Sequence, residues 1–259
     1  MLRITDARTG DLVDAAPARR GLTRVEVHAQ EFDPTNLRVL LVADLLVRAL
    51  ELGGTPVWAL LSAEHRRTEL RAAASALGVR PFEEGHKAGT GLGEAQVLHV
   101  VAEGGPRPDG VRIAAAPVGW DDRGAAHPAG PATAPTGWDV PGAPGGTDPA
   151  VLRLALLAQP RATPLLLGPT ALGDAEDTLA RWRRAVAVWA QRPSRPIPDE
   201  IRADLRRAWE NDLDATGVLR VLRGVETAPE VPDGARFETY AYADRLLGLH
   251  LTRDLGAPQ

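Results

Sequence analysis

The sequence predicts an α/β protein in which a Rossmann-like parallel sheet is followed by an α-helical bundle domain. Short apolar segments alternate with amphipathic segments over the first 119 residues, which is the pattern of strands and crossover helices. The next 28 residues, 120–147, are rich in Gly, Pro, Ala and Thr, and helix-length periodic segments follow them. We therefore expect a Rossmann-like domain at 1–119, a loop or linker at 120–147 and a helical domain at 148–259.

The elements of the first domain follow from apolar periodicity. Helices are predicted at 37–52 and 62–78, where apolar residues recur three and four positions apart and a glycine closes each segment. Asn36 and Ser62 are the expected N-caps of these two helices. Strands are predicted at 2–5, 23–29, 55–61, 96–102 and 111–118.

Helix start and stop signals organise the second domain. Asp148 is a good N-cap, and Pro149 suits the first helical position after it. Further helices are predicted at 171–191, 198–211, 214–225 and 236–254, each with an apolar stripe and separated by Pro- and Gly-containing breakers. Together these helices predict a bundle.

Composition excludes several kinds of site. The chain has no cysteine, so a thiolate nucleophile, a disulfide and a thiolate zinc site are impossible, and a metal site would need His and carboxylates. A net charge of -4 lacks the basic excess of most nucleic-acid binders. No apolar run is long enough for a membrane span and the N-terminus lacks the order of a secretory signal, so we expect a cytoplasmic protein without a membrane partner.

Three segments of the helical region occur in an order typical of one enzyme family. They are DPAVLRLALLAQ (148–159), GDAEDTLARWRRAV (173–186) and ENDLDATGVLRVL (210–222). They resemble the helices that follow the nucleotide-binding core in mycothiol cysteine ligases and class I cysteinyl-tRNA synthetases. The resemblance implies the class I synthetase (HUP-type) Rossmann fold and a degenerate, shortened paralogue of this family.

The resemblance continues along the predicted helix 37–52, where Arg38, Asp44 and Gly53 are in register with the helix after the family's HIGH signature. Counting back places the HIGH positions on 33–36, so neither histidine is kept. The family's KMSKS signature falls on 124–128, and both of its lysines are replaced. The residues at these two signatures are Asp33, Pro34, Thr35 and Asn36, and Gly124, Ala125, Ala126, His127 and Pro128.

The resemblance also implies what these replacements remove. In the family the signature histidines and lysines bind the phosphates of ATP, and the loss of one such donor commonly costs about 3–4 kcal/mol of transition-state stabilisation. Asp33 adds a negative charge where phosphates would lie. The first zinc-ligating cysteine of the family falls on His28, and the other zinc ligands have no recognisable counterpart. We therefore expect no cofactor, with ATP and AMP disfavoured and no zinc.

A remodelled ligand cleft remains possible at the carboxyl ends of the predicted strands, where such sheets usually bind ligands. His28 could be a ligand or base there, or only a packed polar side chain. Asn36 could line the cleft or only cap its helix, and the free amides of that helix end could hold a small anion. The candidate cleft consists of His28, Asp33, Thr35, Asn36, Glu103, Gly104 and Gly105.

Two further groups have both a functional and a structural interpretation. The turn formed by Glu103 and the two glycines lies near the position of a family glycine-rich turn that faces adenosine, but a strand followed by two glycines is also an ordinary turn. Arg181, Trp182 and Arg184 could contact nucleic acid, but arginines beside apolar helix positions are usually a solvated edge. We do not expect tRNA as a partner.

Three functions fit these observations. The first is a noncatalytic, cysteinyl-tRNA synthetase-like pseudoenzyme that binds a small ligand or a protein. The second is a divergent ATP- or aminoacyl-dependent ligase or transferase of a specialised actinobacterial pathway, with a site around His28, Asp33, Asn36 and Glu103. The third is a helical protein-interaction module for which the sheet is only a scaffold.

Overall fold

The computed structural model describes residues 1–17, 21–63, 65–84, 94–121 and 146–256. The chain begins with a short antiparallel pair of strands, β1 (Arg3–Thr5) and β2 (Leu12–Asp14). The sequence predicts β1 but not β2. A five-stranded parallel sheet follows. Its strands are β3 (Leu22–His28), β4 (Val57–Ser62), β5 (Glu83–Glu84), β6 (Glu94–Ala102) and β7 (Val111–Ala115).

The strand order of the sheet, β5-β4-β3-β6-β7, confirms the Rossmann-like α/β fold. The chain moves from β3 outward to β4 and β5, then returns to the other side of β3 for β6 and β7. This reversal creates a topological switch point between the carboxyl ends of β3 and β6. Sheets of this kind usually bind ligands in the crevice at such a point.

Two helices connect the first three strands of this sheet. They are α1 (Pro34–Leu52) and α2 (Arg67–Ala76). The expectation that Asn36 caps α1 is wrong, because the cap is Asp33 and Pro34 takes the first helical position. The expectation that Ser62 caps α2 is also wrong, because Ser62 ends β4 and the helix begins after Arg66, which has a left-handed backbone.

The region after the sheet is helical, as predicted, but it contributes one unpredicted strand. The predicted strand 111–118 divides into β7 and β8 (Val118–Trp120), and β8 pairs in parallel with β9. The elements that follow β8 are α3 (Pro149–Leu157), β9 (Leu165–Leu167), α4 (Pro169–Trp189), α5 (Asp199–Glu210), α6 (Ala215–Thr227) and α7 (Asp233–Leu247).

Local sequence signals determine where two of these helices begin or end. Asp148 caps α3 as predicted, because its carboxylate accepts a hydrogen bond from the Ala150 amide at 2.8 Å. The last helix ends at Leu247 instead of residue 254, since Gly248 adopts a left-handed backbone with φ of 61°. In the core of the bundle Trp182 is fully buried and meets Tyr240 edge to face, with ring centroids 5.6 Å apart.

Buried charges join α1 to the helical region. The guanidinium of Arg38 donates to the carbonyl oxygens of Ala116, Gln159, Pro160 and Thr163 at 2.7–3.2 Å. Nearby on the same helix, the buried Asp44 carboxylate accepts from Arg153 Nη2 at 2.7 Å. The sheet region and the helical region therefore share buried polar contacts.

Candidate functional site

The switch-point end of β3 places alternate side chains on two different faces of the sheet. Val25 and Val27 are fully buried, whereas Arg24, Glu26 and His28 are half-buried on the opposite face. On the neighbouring strand β6, His99 lies directly across from Glu26. The second face of the sheet therefore brings Glu26, His28 and His99 together.

These three side chains form a tight cluster. His28 Nε2 lies 3.1 Å from His99 Nδ1, and Glu26 Oε2 lies 3.2 Å from His99 Nδ1 and 3.8 Å from His28 Nε2. The two imidazole rings are tilted by 42°. Among the described residues, this is the group of three histidine or carboxylate side chains whose donor atoms converge closely enough to hold a metal ion.

Burial favours the neutral form of both imidazoles of this cluster. The pKa of His28 is lowered chiefly by burial and further by the neighbouring His99, while Glu26 opposes the shift. The pKa of His99 is lowered by burial as well, and the charges of Arg24 and Arg112 add to that effect against the opposing influence of Glu26. Neutral imidazole is the form that binds metals and accepts protons.

The polar residues at the start of α1 have structural partners. Asp33 Oδ1 accepts hydrogen bonds from the backbone amide of Asn36 at 2.7 Å and from its side chain at 2.9 Å. Asn36 in turn accepts from the Gln30 amide at 3.0 Å. Thr35 exchanges two hydrogen bonds with the backbone of Val118, which ties α1 to β8. These side chains hold the helix end in place.

The turn after β6 lines a separate cavity of about 540 Å³. Glu103 is exposed there, Gly104 has a left-handed backbone with φ of 76°, and the Gly105 amide donates to the Ala102 carbonyl. A side chain at Gly105 would place its Cβ 2.9 Å from that carbonyl oxygen, so the turn requires glycine at this position. The cavity wall includes none of His28, Asp33, Thr35 and Asn36. The structure thus divides the predicted cleft among three places.

The cavity carries more positive than negative side chains. Its wall contains four arginines and two carboxylates, which are Arg8, Arg107, Arg112, Arg161, Glu103 and Asp212. Arg161 pairs with Asp212 and donates to the Ala114 carbonyl at 2.7 Å. In the described part of the chain, the buried Nε atoms of Arg112 and Arg161 have no hydrogen-bond partner. Such a wall favours an anionic ligand.

Two other groups were predicted from the sequence. The KMSKS-matched residues, Gly124, Ala125, Ala126, His127 and Pro128, fall outside the described residues. On α4, Arg181 and the indole of Trp182 both donate to the carboxylate of Glu226 on α6. That carboxylate therefore pairs with two of the three side chains considered for nucleic-acid contact. Trp182 is buried, whereas Arg181 and Arg184 are exposed on the same helix.

Several residues of this region were not among the candidates from the sequence. They include Glu26 and His99, which complete the histidine cluster, and Arg112 and Arg161, which line the cavity. The alternation of β3 was a usable signal for Glu26, because it stands two positions before His28 and shares its face. His99 and the arginines depend on strand register and on a contact between distant segments, which periodicity does not encode.

Comparison with known proteins supports the resemblance noted in the sequence. No family model matches the chain. Curated proteins from Acidothermus cellulolyticus (37% identity over 106 residues) and Beutenbergia cavernae (38% over 110 residues) each match 41% of this chain and 25% of their own length. A protein from Streptomyces scabiei is 34% identical over 110 residues. All three are named L-cysteine:1D-myo-inositol 2-amino-2-deoxy-alpha-D-glucopyranoside ligase.

Over about 41% of its length the chain is similar to these cysteine ligases. It spans about a quarter of the length of the curated ligases that it matches. None of the described helices is long and apolar enough to cross a membrane.

Proposed function

We propose that this cysteine ligase relative binds a small anionic ligand and does not activate cysteine with ATP. The arginine-lined cavity at the carboxyl ends of β6 and β7 carries the proposal. Its volume of about 540 Å³ lies within the range of small-molecule sites, which is roughly 300–1,000 Å³. Its place next to the switch point is where ligands of such sheets usually bind.

The residue inventory supports the noncatalytic part of the proposal. Lys87 is the only lysine of the sequence, and among its six histidines no two stand three positions apart. The chain therefore cannot supply the two histidines of a HIGH signature or the two lysines of a KMSKS signature. Without several preorganised cationic donors, the charge that develops on phosphate oxygens in adenylyl transfer has little stabilisation.

The polar groups at the start of α1 support the same conclusion. Asp33 and Asn36 hydrogen-bond each other, and Thr35 is bonded to Val118. A substrate would have to replace these contacts. Glu103 is the other member of the site proposed for a divergent ligase. It lines a cavity whose wall includes none of these residues. A catalytic constellation of His28, Asp33, Asn36 and Glu103 is therefore the weaker proposal.

The arginines indicate the chemical class of the ligand. Guanidinium groups recognise carboxylates and phosphates through paired N–H donors, and a charged hydrogen bond contributes about 1.5–3 kcal/mol. Arg161 is already committed to Asp212, with 9% of its side chain exposed. The buried Nε of Arg112 has no hydrogen-bond partner in the described part of the chain, so a ligand that pairs with this guanidinium would satisfy it. We expect Arg112 to contribute most to anion binding.

Isothermal titration calorimetry with AMP, ATP, inorganic phosphate and cysteine tests the proposal. At least one anion should bind to the full-length protein, and Arg112→Gln should weaken it about 10- to 100-fold, as the loss of one charged hydrogen bond implies. Arg107→Gln, at an exposed position of the same wall, should weaken it less. Arg207→Gln is the matched control, because Arg207 is 74% exposed on α5 and pairs with Asp204.

Two results would contradict the proposal. If no anion in the panel binds, or if Arg112→Gln binds it as tightly as Arg207→Gln does, the cavity is not the site. A cysteine-dependent exchange of pyrophosphate into ATP at ordinary enzyme concentration would favour the divergent ligase instead. The interaction-module alternative has less support, because Val188 is the only large apolar side chain exposed on the described helices.

A further inference from the structure

The face of the sheet opposite α1 carries the Glu26, His28 and His99 cluster, which is separate from the arginine-lined cavity. We propose that these three side chains bind one divalent transition-metal ion, for which zinc is the best match. Two imidazoles and one carboxylate are a common zinc ligand set. Only His28 matches a zinc-ligand position in the family resemblance, so Glu26 and His99 are ligands that the resemblance does not supply.

The distances between the three donor atoms match a tetrahedral site. Zinc lies about 2.0–2.2 Å from imidazole nitrogen and carboxylate oxygen, so two ligand atoms at a tetrahedral angle are separated by about 3.3–3.5 Å. The observed separations are 3.1, 3.2 and 3.8 Å. An ion at the centre of this triangle reaches all three atoms after small side-chain rotations. The fourth position stays open to water or to a ligand, as in catalytic zinc sites.

The His99 ring directs one nitrogen toward the cluster and the other away from it. Its Nδ1 faces His28 and Glu26, and its Nε2 side faces Gly110. In the tautomer that carries its hydrogen on Nε2, Nδ1 offers a lone pair to a metal ion. Metal-binding histidines commonly have this arrangement, with the second ring nitrogen directed at a protein group.

The three donor atoms converge on one point between them. Glu26 Oε2 lies 3.2 Å from His99 Nδ1, and His28 Nε2 lies 3.1 Å from the same nitrogen. The carboxylate oxygen only accepts hydrogen bonds, and each neutral imidazole has one nitrogen with a free lone pair. A cation at the centre of the three atoms would receive a lone pair from each of them.

The charges around the cluster orient the carboxylate. Arg24 Nε lies 3.2 Å from Glu26 Oε1, which leaves Oε2 directed to the histidines. The site is reachable, because about 25% of the Glu26 side chain and 15% of the His28 side chain are exposed. A metal ion can therefore enter without unfolding of the sheet.

Zinc titration of the metal-free, full-length protein tests the proposal. Calorimetry at pH 7.5 without added anion should show one zinc ion bound per chain, and cobalt should give the visible absorption of a tetrahedral site. Glu26→Gln and His28→Gln should each weaken zinc binding at least tenfold, since changes even outside the ligand shell of zinc proteins cost 10- to 100-fold. Both substitutions preserve side-chain size approximately, and thermal unfolding of the metal-free variants verifies the fold.

His250→Gln is the matched control, because His250 is an exposed histidine that packs against Gly78. It should bind zinc as the unaltered protein does. Absence of saturable zinc binding would overturn the proposal. Zinc binding unchanged in Glu26→Gln and His28→Gln would overturn it as well, because the ion would lie elsewhere. Neither result bears on anion binding, which has its own titration.

Discussion

Substitution of Asp44 tests whether buried charge stabilises this fold. The Asp44 side chain is fully buried, and its Oδ2 accepts from Arg153 Nη2 at 2.7 Å and from Arg48 Nε at 2.8 Å. Its Oδ1 accepts from the Arg80 amide at 3.2 Å. In Asp44→Asn the shape is kept, but the charge that compensates the buried guanidinium of Arg153 is lost.

The expected cost follows from the burial of Arg153, whose side chain is 0% exposed. Arg153 also donates to the carbonyl oxygens of Leu247 and Leu77, so it cannot turn toward solvent without breaking contacts between α3, α7 and the end of α2. Removal of one partner of a buried ion pair costs about 3–5 kcal/mol. For a chain of this size we expect a fall of roughly 10 °C in the melting temperature.

Urea unfolding followed by circular dichroism measures this change. The matched control is Asp204→Asn, because Asp204 pairs with Arg207 at 2.6 Å but the two side chains are 47% and 74% exposed. The control should lose less than about 1 kcal/mol. Replacement of both buried partners, Asp44→Leu with Arg153→Met, should cost less than Asp44→Asn alone. A loss below about 1 kcal/mol in Asp44→Asn would refute the reasoning.

Three further predictions concern stability. Gly234→Ala should destabilise the protein strongly, since the added Cβ would clash with the Pro193 carbonyl oxygen. Gly224→Ala, whose added Cβ meets no atom within 4 Å, should stabilise it by about 0.5–1 kcal/mol in the same urea assay. Asp148→Ala should cost about 1 kcal/mol, because it removes the N-cap of α3, and Asp148→Asn should restore most of that loss. Burial alone would raise the pKa of Asp44, but Arg153 and then Arg48 hold it below its ordinary value. The stabilising contribution of the Asp44 carboxylate is therefore present above about pH 4 and is lost as the pH falls further. Between pH 5 and pH 3, Asp44→Asn should lose less stability than the unaltered protein does. Equal losses in the two proteins would contradict this assignment.

The sequence predicts the architecture better than it predicts helix ends. Buried strands and amphipathic helices leave strong periodic patterns, so the parallel sheet and the helical region are confirmed. The sequence suggests Asn36 as the N-cap of α1, because it precedes an apolar run. Asp33 is the N-cap in the structure, because Pro34 follows it and suits the first helical position. At the other end of the chain, Gly248 stops α7 although the apolar pattern continues beyond it.

The candidate site is less predictable, because its parts come from separate segments. His28 could be selected from its place at a strand end, but its partner His99 is 71 residues away and depends on the pairing of β3 with β6. The cavity likewise joins Arg161 to a turn at Glu103 that lies far from it in the sequence. Side-chain types can be recognised locally, whereas such distances follow only from strand order and register.

The position of Arg38 makes the two regions of the chain depend on each other to fold. Arg38 is 1% exposed, and three of the four carbonyl partners of its guanidinium belong to residues 159–163. A polypeptide that ends at residue 121 would retain this cation without most of its acceptors, and a buried unpaired charge is strongly destabilising. We expect residues 1–121 and 146–259 to be insoluble when produced separately and to assemble into one folded complex when produced together in the same cell.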